Sequence, residues 1–295
     1  MIDESELYRR FEQVVPGTST VESANDNLFS DFNVYFERLS MTGLEEMHRY
    51  SSDKRLYEFF EFEPFDSIDK TKEYIEKLLQ RMGNNPLKRT AMYWFVRRKK
   101  DNYLVGTASL GNLNYCRKSV EWGYGIDPKQ WGSGAIMQIQ EILKHYVFDV
   151  LQLNRLYGST ILENKRTISS LLASGMRHEG TLRQHYCKGS IFHDAWQYAM
   201  LRQDYVQLKN KIKGKATRHN YSEEDVIELI ASVLTDDEIN AQSNIENIPS
   251  WDSMNHMLII IALSEKLAVS LSPSEITHAT SVKAIAAILA ERGNN

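Results

Sequence analysis

Between residues 31 and 207 the hydrophobic positions change their spacing repeatedly along the chain. Segments that predict strands are FNVYFERLS, AMYWFVRR, YLVGTASL, SVEWGYGI, RLYGSTI and IFHDAWQYAML. Segments with helical spacing lie among them: LEEMHRYSS, IDKTKEYIEKLLQRM, the run after DPKQWGSG, and NKRTISSLLASG. Because strand and helix periods alternate, this stretch predicts one mixed α/β domain with a twisted sheet.

The C-terminal stretch has helical spacing only. Ser222 is placed to cap a first helix, and later helices begin near Asp252 and Val282, with a short turn after Pro273. Each helix has one apolar stripe, so residues 222–292 predict a small all-α four-helix domain. Residues 1–30 are polar apart from one amphipathic piece, ESELYRRFEQVV, and form an extension to which the sequence assigns no function.

Charge separates these parts of the chain. The net charge is −4, yet residues 222–292 contain twelve acidic and three basic residues, and residues 208–221 contain five basic residues and no acidic ones. Such a change of charge along the chain indicates a domain boundary and a linker that connects the two domains. The predicted organisation is an extension at 1–30, an α/β domain at 31–207, a basic linker at 208–221 and a helical domain at 222–292. The first half of the linker is equally compatible with a solvated helix.

Several functional classes are disfavoured by composition. Two cysteines, Cys116 and Cys187, do not make a disulfide framework, and the eight histidines lack metal-ligand spacing. The longest apolar run is too short to span a bilayer, and the N-terminus lacks the pattern of a secretory signal. We therefore expect a cytoplasmic protein with no metal site and with neither nucleic acid nor membrane as a partner.

A glycine-containing loop follows the predicted strand SVEWGYGI. On that strand Glu121, Gly123 and Gly125 share one face. The loop contains Trp131, Gly132, Ser133 and Gly134 just before a helix, where backbone N–H groups can approach a phosphate. Taken alone, this loop is also compatible with an ordinary tight turn.

The motifs between residues 31 and 207 resemble the GNAT acyltransferase superfamily, in particular the branch with the ribosomal-protein N-acetyltransferases. The resemblance rests on an ordered set: Glu121, Asp127-Pro128, Trp131-Gly132-x-Gly134, Asn164-x-x-Thr167 and Gly175. It implies a GNAT-like mixed sheet, an acyl thioester donor such as acetyl-CoA or another acyl-CoA, and an amine acceptor.

The resemblance also implies roles for individual residues. The cofactor-binding residues are Trp131, Gly132, Ser133, Gly134, Ala135 and Asn164, with the N–H groups from Gly132 to Ile136 around the phosphates. Glu121 is the expected general base, and amides near Trp122 and Gly123 polarise the carbonyl. Thr167 and Tyr186 are the other expected catalytic residues, with Thr167 as the candidate acid for the thiolate.

Two departures and three simpler interpretations accompany these roles. Ile136 stands where relatives have a small residue, and Leu171 stands where many have a tyrosine that protonates the thiolate. Alternatively, Glu121 is a strand residue paired with a base, Asn164 caps the following helix, and Tyr186 belongs to the core.

The stretch NIPSWDSMNHMLIII places Asp252 and Ser253 at the start of a helix. Alone, this pair predicts a helix cap. Within an acidic four-helix segment, WDS and the later LSPSEI resemble an acyl carrier protein, which implies 4′-phosphopantetheine covalently attached to Ser253. A phosphopantetheinyl transferase must then act on this chain. An acyl-activating ligase is also required if coenzyme A does not charge the carrier.

The two resemblances together predict an N-acyltransferase. It moves an acyl group from a phosphopantetheine thioester, on its own carrier or in acyl-CoA, to a small-molecule amine, with an amino-sugar nucleotide as one acceptor. Three alternatives stay open: loading of acyl groups from CoA onto the carrier thiol, acetylation of protein N-termini, and a non-catalytic recruitment module.

Overall fold

A computed structural model describes residues 2–17, 29–83, 90–214, 221–234, 238–266 and 271–293. The chain divides into two units, of which the first comprises residues 1–164 and 177–203 and the second comprises residues 165–176 and 204–295. The first unit contains the sheet, and the second is helical.

The first unit is built on a seven-stranded mixed sheet with the order β1-β2-β3-β4-β5-β7-β6. Strands β4 and β5 are parallel, and the other neighbouring pairs are antiparallel. The strands are β1 (Val34–Arg38), β2 (Met92–Arg98), β3 (Leu104–Asn114), β4 (Ser119–Ile126), β5 (Arg155–Ile161), β6 (Arg177–Lys188) and β7 (Ile191–Leu201). The mixed α/β fold predicted from the alternating periods is confirmed.

Four helices accompany the sheet: α1 (Glu4–Gln13), α2 (Leu44–Ser51), α3 (Ile68–Met82) and α4 (Ala135–His145). Helix α3 has the bounds of its predicted segment, because Ser67 accepts a bond from the Lys70 amide at its start and Gly83 ends it with φ of 65°. Helix α4 connects the parallel strands and buries Ile139, Ile142 and Leu143.

The N-terminal amphipathic piece forms α1 and contributes to the core of the first unit. Leu7 and Phe11 are fully buried. The Tyr146 hydroxyl donates a hydrogen bond to the Arg10 carbonyl at 3.0 Å, and the Arg10 guanidinium donates to the Val150 carbonyl at 3.0 Å. This segment therefore stabilises the first unit through packing and two tertiary hydrogen bonds.

Strand β6 was not predicted by the hydrophobic pattern. It lies at the edge of the sheet, where β7 is its one neighbour. Most side chains between Arg177 and Gln184 are exposed. Edge strands commonly have polar side chains on both faces, so this strand has no apolar alternation to reveal it.

The second unit contains α5 (Lys165–Ala173), α7 (Glu223–Leu234), α8 (Ser253–Lys266), α9 (Pro273–His278) and α10 (Val282–Gly293). Helix α6 (Arg202–Gly214) covers the first half of the predicted linker, as the helical alternative expected. The Asp225 amide donates to Ser222 Oγ at 3.2 Å, which confirms that serine as a cap. The four helices predicted after residue 222 are thus present. Their grouping as a separate carrier domain at 222–292, like the other predicted domain bounds, stays a prediction.

The buried Trp251 and the half-buried His256 form a polar pair beside the start of α8. The indole N–H of Trp251, which is 1% exposed, donates to His256 Nδ1 at 3.2 Å. His256 Nε2 lies 3.3 Å from the Ile276 carbonyl oxygen, so the neutral ring with its proton on Nε2 satisfies both contacts. Burial lowers the pKa of His256. The neutral imidazole therefore links the N-terminal end of α8 to α9.

We expect the stability of this region to fall as the pH decreases through the folded-state pKa of His256. That pKa is lower than the unfolded value of about 6.5, so the stabilisation is present above this value and is lost as the ring protonates. The Trp251 indole N–H resonance and amide exchange in α8 measure the effect, with the exposed His278→Gln variant as control. The prediction would be contradicted if amide exchange in α8 changed with acid only as much as the intrinsic chemical exchange rate changes with pH.

Candidate active site

The parallel strands β4 and β5 pair over only three residues each. The register runs from Ser119 with Arg155 to Glu121 with Tyr157, although β4 continues to Ile126 and β5 to Ile161. The two strands therefore diverge after Glu121 and open a gap in the sheet. Because successive amides of a strand point to opposite edges, one amide of the pair Trp122 and Gly123 faces this gap. This position agrees with the role predicted for those amides.

Trp122 occupies the first part of the gap. A Cβ added at Gly158 of β5 would lie 2.8 Å from Cδ1 and 2.9 Å from Nε1 of the Trp122 indole. The indole thus packs directly against the backbone of β5, and a larger residue at 158 does not fit beside it. This packing fixes the width of the opening next to Glu121.

Glu121 lies at the point where the strands separate and is half-buried. Its Oε2 accepts a hydrogen bond from the Asn112 side-chain amide at 2.6 Å. The hydrogen-bond partner of Glu121 is therefore a side-chain amide. The alternative that Glu121 is only a structural strand residue predicted a basic side chain as its partner. On β4, Glu121 shares its face with Gly123 and Gly125, as the alternation predicted.

Two tyrosines lie near the Glu121 carboxylate. Tyr157 is its register partner on β5, and the Tyr186 hydroxyl is 2.7 Å from Ser159 Oγ. Burial and, to a smaller extent, the negative charge of Glu121 raise the pKa of both phenols. Tyr186 is consequently a neutral phenol at physiological pH and can donate a proton.

An aromatic and acidic segment, Tyr57 to Asp66, lies over the same face of the sheet. A Cβ added at Gly125 would be 3.9 Å from Phe60 Cζ and 4.0 Å from Leu56 Cδ1. Glu61 Oε1 accepts a bond from the Cys187 amide at 2.9 Å, and the Lys188 ammonium donates to the Tyr57 carbonyl at 2.6 Å. These contacts connect the segment to β6 immediately after Tyr186.

The predicted phosphate loop precedes α4. Gly132 and Gly134 have φ of 78° and 75°, a left-handed conformation that glycine adopts without steric cost. Ser133 Oγ donates to the Gln130 carbonyl at 2.6 Å. A Cβ added at Gly132 would meet no described atom within 4 Å. Gly134, the residue before α4, has no side chain to cap the helix, and Ser133 Oγ accepts a hydrogen bond from the Ala135 amide at 3.4 Å.

Three residues of the predicted phosphate site lie in this loop or at the start of α4. Trp131 is half-buried, Ala135 is the first residue of α4 and is buried, and Ile136 is half-buried. The open space at Gly132 and the long contact of 3.4 Å between the Ala135 amide and Ser133 Oγ leave this helix N-terminus able to accept the diphosphate of a coenzyme A donor. The residues that would hold it are the backbone amides from Gly132 to Ile136.

Asn164 and Thr167 belong to different units. Asn164 directly precedes α5, and its amide donates to the Ile161 carbonyl at 3.1 Å. Thr167 is half-buried in the first turn of α5, and Leu171 is buried further along that helix. The structure thus brings Glu121, Tyr157, Ser159 and Tyr186 together in the first unit, and the role of Thr167 stays a prediction.

Sequence reasoning missed Asn112, Ser159 and Glu61. The composition of Tyr57 to Asp66, with five aromatic and four acidic residues and no basic ones, was a signal that would have indicated Glu61. Ser159 carries no comparable signal, because its contact with Tyr186 joins residues 27 positions apart.

The described part of the chain holds no group of three or more His, Cys, Asp or Glu side chains arranged to bind a metal ion. Among its helices, none combines the length and the apolar character needed to cross a membrane.

Comparison with known proteins gives a family match for the segment that contains this site. Residues 33–177 match the family described as an acetyltransferase (GNAT) domain. This range contains Glu121, the loop from Trp131 to Ala135, and Asn164. The segment therefore carries a GNAT acetyltransferase domain, and the protein is an acyltransferase that transfers groups other than aminoacyl groups.

Three relatives show the range of similar proteins. An uncharacterized N-acetyltransferase p20 of Bacillus licheniformis is 24% identical over 179 residues, which are 59% of this chain and 98% of the relative. Spermidine N(1)-acetyltransferase of Vibrio cholerae is 23% identical over 163 residues, covering 55% and 90%. Ribosomal-protein-serine acetyltransferase of Escherichia coli is 26% identical over 102 residues, covering 35% and 57%. The ribosomal-protein acetyltransferase-like resemblance is confirmed.

A solved structure shares the fold. The spermidine N-acetyltransferase of Vibrio cholerae, in complex with CoA and spermine, superposes with a TM-score of 0.50 at 22% identity. The match covers 59% of this chain and 98% of that one. The part of the chain it covers thus has a GNAT-like fold.

We expect the Glu121→Gln variant to lose acyl transfer. The amide keeps an oxygen for the Asn112 hydrogen bond but does not accept the acceptor's proton, so kcat should fall about a hundredfold or more. Steady-state kinetics with acyl donor and amine measure this, with the exposed Glu4→Gln variant as the matched control. Wild-type kcat in Glu121→Gln would contradict the assignment.

Proposed function

We propose that this protein transfers an acyl group from a phosphopantetheine thioester to the amine of a small molecule. The observation that carries the proposal is the position of Glu121 at the divergence of β4 from β5, beside the neutral phenol of Tyr186 and the gap-facing amide of Trp122 or Gly123. A base, a proton donor and an N–H group for an oxyanion are what aminolysis of a thioester requires.

The reaction follows from these groups. When bound, acetyl-CoA or a carrier thioester supplies the electrophilic carbonyl. Glu121 takes a proton from the ammonium of the acceptor, and the freed lone pair forms the C–N bond. The amide at the gap stabilises the oxyanion, and the C–S bond breaks as a hydroxyl proton reaches the sulfur; the second proton of the acceptor nitrogen then returns to that hydroxyl oxygen. The products are an amide and a free thiol.

Two hydroxyl groups are candidates for the last proton transfer. Tyr186 lies near Glu121, and its hydroxyl is hydrogen-bonded to Ser159. The alternative that Tyr186 is only a core residue requires neither of these two features. Thr167 is the candidate acid predicted from the sequence, because Leu171 stands where many relatives have the tyrosine that protonates the thiolate. Asn164 is proposed to bond the pantetheine arm or the phosphate side of the donor.

The donor is proposed to be the protein's own carrier segment, with acyl-CoA as the other source. Helix α8 begins at Ser253, and Asp252 Oδ1 accepts a bond from the Asn255 amide at 2.8 Å. Asp252 therefore supplies the helix cap. Capping alone does not require a serine at position 253. The side chain of Ser253 lies outside the part of the chain that the structure describes.

A phosphopantetheine on Ser253 has physical support in its surroundings. A phosphodiester at the first residue of a helix is favoured by the helix dipole. The net charge of −9 over residues 222–292 suits docking to basic partner enzymes, such as a phosphopantetheinyl transferase. An acyl-activating ligase charges the thiol if CoA does not. Tethering raises the donor concentration to about millimolar, so weak docking suffices.

The acceptor class follows from the wall over Gly125. An amino-sugar nucleotide was the acceptor expected from the sequence, but its diphosphate is anionic. Phe60 lies over Gly125, and the exposed carboxylate of its neighbour Glu61 contacts the Cys187 amide, so this segment offers a ring and a negative charge that favour a cation. A relative named for spermidine also supports a cationic amine. We therefore propose an acceptor that carries a second positive charge, with the nucleotide-linked amine as the competing candidate.

Intact mass tests the carrier. After co-expression with a broad-specificity phosphopantetheinyl transferase, we expect one phosphopantetheine on the wild-type chain and on Ser250→Ala, and none on Ser253→Ala. No addition to the wild type would contradict the carrier, and acyl-CoA would be the donor. Full turnover of Ser253→Ala with acetyl-CoA would contradict the use of the carrier as donor.

The fate of a labelled acyl group separates the remaining alternatives. Label that passes to a small amine supports the proposed transfer. Label retained on Ser253 indicates loading for another enzyme, and label on protein N-termini indicates N-terminal acetylation. Absence of label from every product, with phosphopantetheine attached, indicates the recruitment module.

Substitution of Glu61 tests the acceptor. The Glu61→Gln variant keeps an oxygen for the Cys187 amide but loses its charge, so KM for an α,ω-diamine should rise about three- to fivefold. KM for a monoamine of equal length should stay unchanged. The control is Asp66→Asn, because Asp66 is already paired with Lys70 at 2.6 Å. Equal kinetics for both amines, or preference for a nucleotide-linked amine, would contradict a dicationic acceptor.

A further inference from the structure

Strand β3 has an irregularity directly opposite Glu121. Gly111 pairs with Glu121 and Asn114 pairs with Ser119, so Asn112 and Leu113 together face Val120. Two residues opposite one define a β-bulge. The bulge therefore lies beside the candidate base.

The bulge changes where Asn112 points. In a regular strand Asn112 would face away from Gly111 and hence away from Glu121. Asn112 instead has φ of 52°, in the left-handed region that asparagine tolerates better than most residues. Leu113 is buried, and its amide donates to the Thr90 carbonyl at 3.0 Å. Leu113 thus returns to the core while the Asn112 side chain reaches Glu121.

The resulting contact is short and directional. Asn112 Nδ2 donates to Glu121 Oε2 at 2.6 Å, although both side chains belong to an open part of the site. A hydrogen bond to a carboxylate is among the stronger ones that proteins make. It fixes the rotation of the carboxylate and leaves Oε1 as the oxygen available to an acceptor amine.

We propose that Asn112 is a positioning residue for Glu121. Its left-handed backbone at the bulge presents the amide that holds Oε2, so that Oε1 is directed to the amine. This inference rests on the proposed function, because it assigns a purpose to the orientation of the general base.

Three variants test the proposal in the full-length protein. Asn112→Gly keeps the left-handed backbone and removes the amide, so kcat should fall about tenfold or more while KM changes less than about twofold. Asn102→Gly is the matched control, because Asn102 is also left-handed, with φ of 60°, and lies in the turn between β2 and β3. Its kcat should equal that of the wild type.

The Asn112→Asp variant provides a readout that a merely structural role would not change. Its new carboxyl group can donate to Glu121 only when protonated. Its activity relative to wild type should therefore be low at neutral pH and should increase as the pH decreases. A ratio that is constant across the pH range would overturn the proposal.

A double variant separates failure of this inference from failure of the proposed function. If Asn112 acts through Glu121, adding Asn112→Gly to Glu121→Gln should cause no further loss of kcat. An inactive Glu121→Gln together with a fully active Asn112→Gly leaves the base assigned and overturns the positioning role. Full activity of Glu121→Gln overturns the general base, and the positioning role with it.

Discussion

The divergence of β4 from β5 is the constraint on which the site depends. Parallel pairing ends at Glu121 and Tyr157, and both strands continue without it. An opened ladder leaves backbone N–H groups without a sheet partner, which is costly unless water, packing or a ligand compensates. Trp122 supplies part of the packing by lying against Gly158. The gap that remains lies beside an N–H donor and the Glu121 carboxylate, and the Tyr186 phenol of β6 is close enough to that carboxylate to have its pKa raised by it.

The sequence alone was sufficient to predict the helices and strands that have a regular hydrophobic period, and the motifs within them. The segment from Ser119 to Ile126 alternates strictly, so the common face of Glu121, Gly123 and Gly125 followed from period alone. The loop before α4 was identified by its glycines, and their positive φ explains why glycine occurs there. These features are local, and local rules determine them.

The features that the sequence did not reveal are long-range or depend on an irregular backbone. Strand β6 has no apolar alternation, so neither the strand nor the proximity of Tyr186 to Ser159 was predictable. The contact between Glu61 and Cys187 joins residues 126 positions apart. Asn112 contacts Glu121 because a bulge reverses the direction expected from alternation. Periodicity assumes a regular strand and fails at that point.

The two predicted thioester donors make different demands on the same domain. An acyl-CoA has a diphosphate that the amides before α4 can bind, and the open space at Gly132 suits it. In a carrier thioester, the pantetheine arm would end at the phosphodiester on Ser253, and the adenosine part of CoA would be absent. The carrier would therefore not use those amides before α4 that bind the rest of the CoA diphosphate. If Ile136 replaces a smaller residue, as the family resemblance predicts, it would therefore weaken the binding of CoA more than that of the carrier. The chemistry at Glu121 is common to both donors, because it concerns only the acyl carbon and the amine. Under the proposed function, donor choice and bond making would thus depend on two different sets of residues.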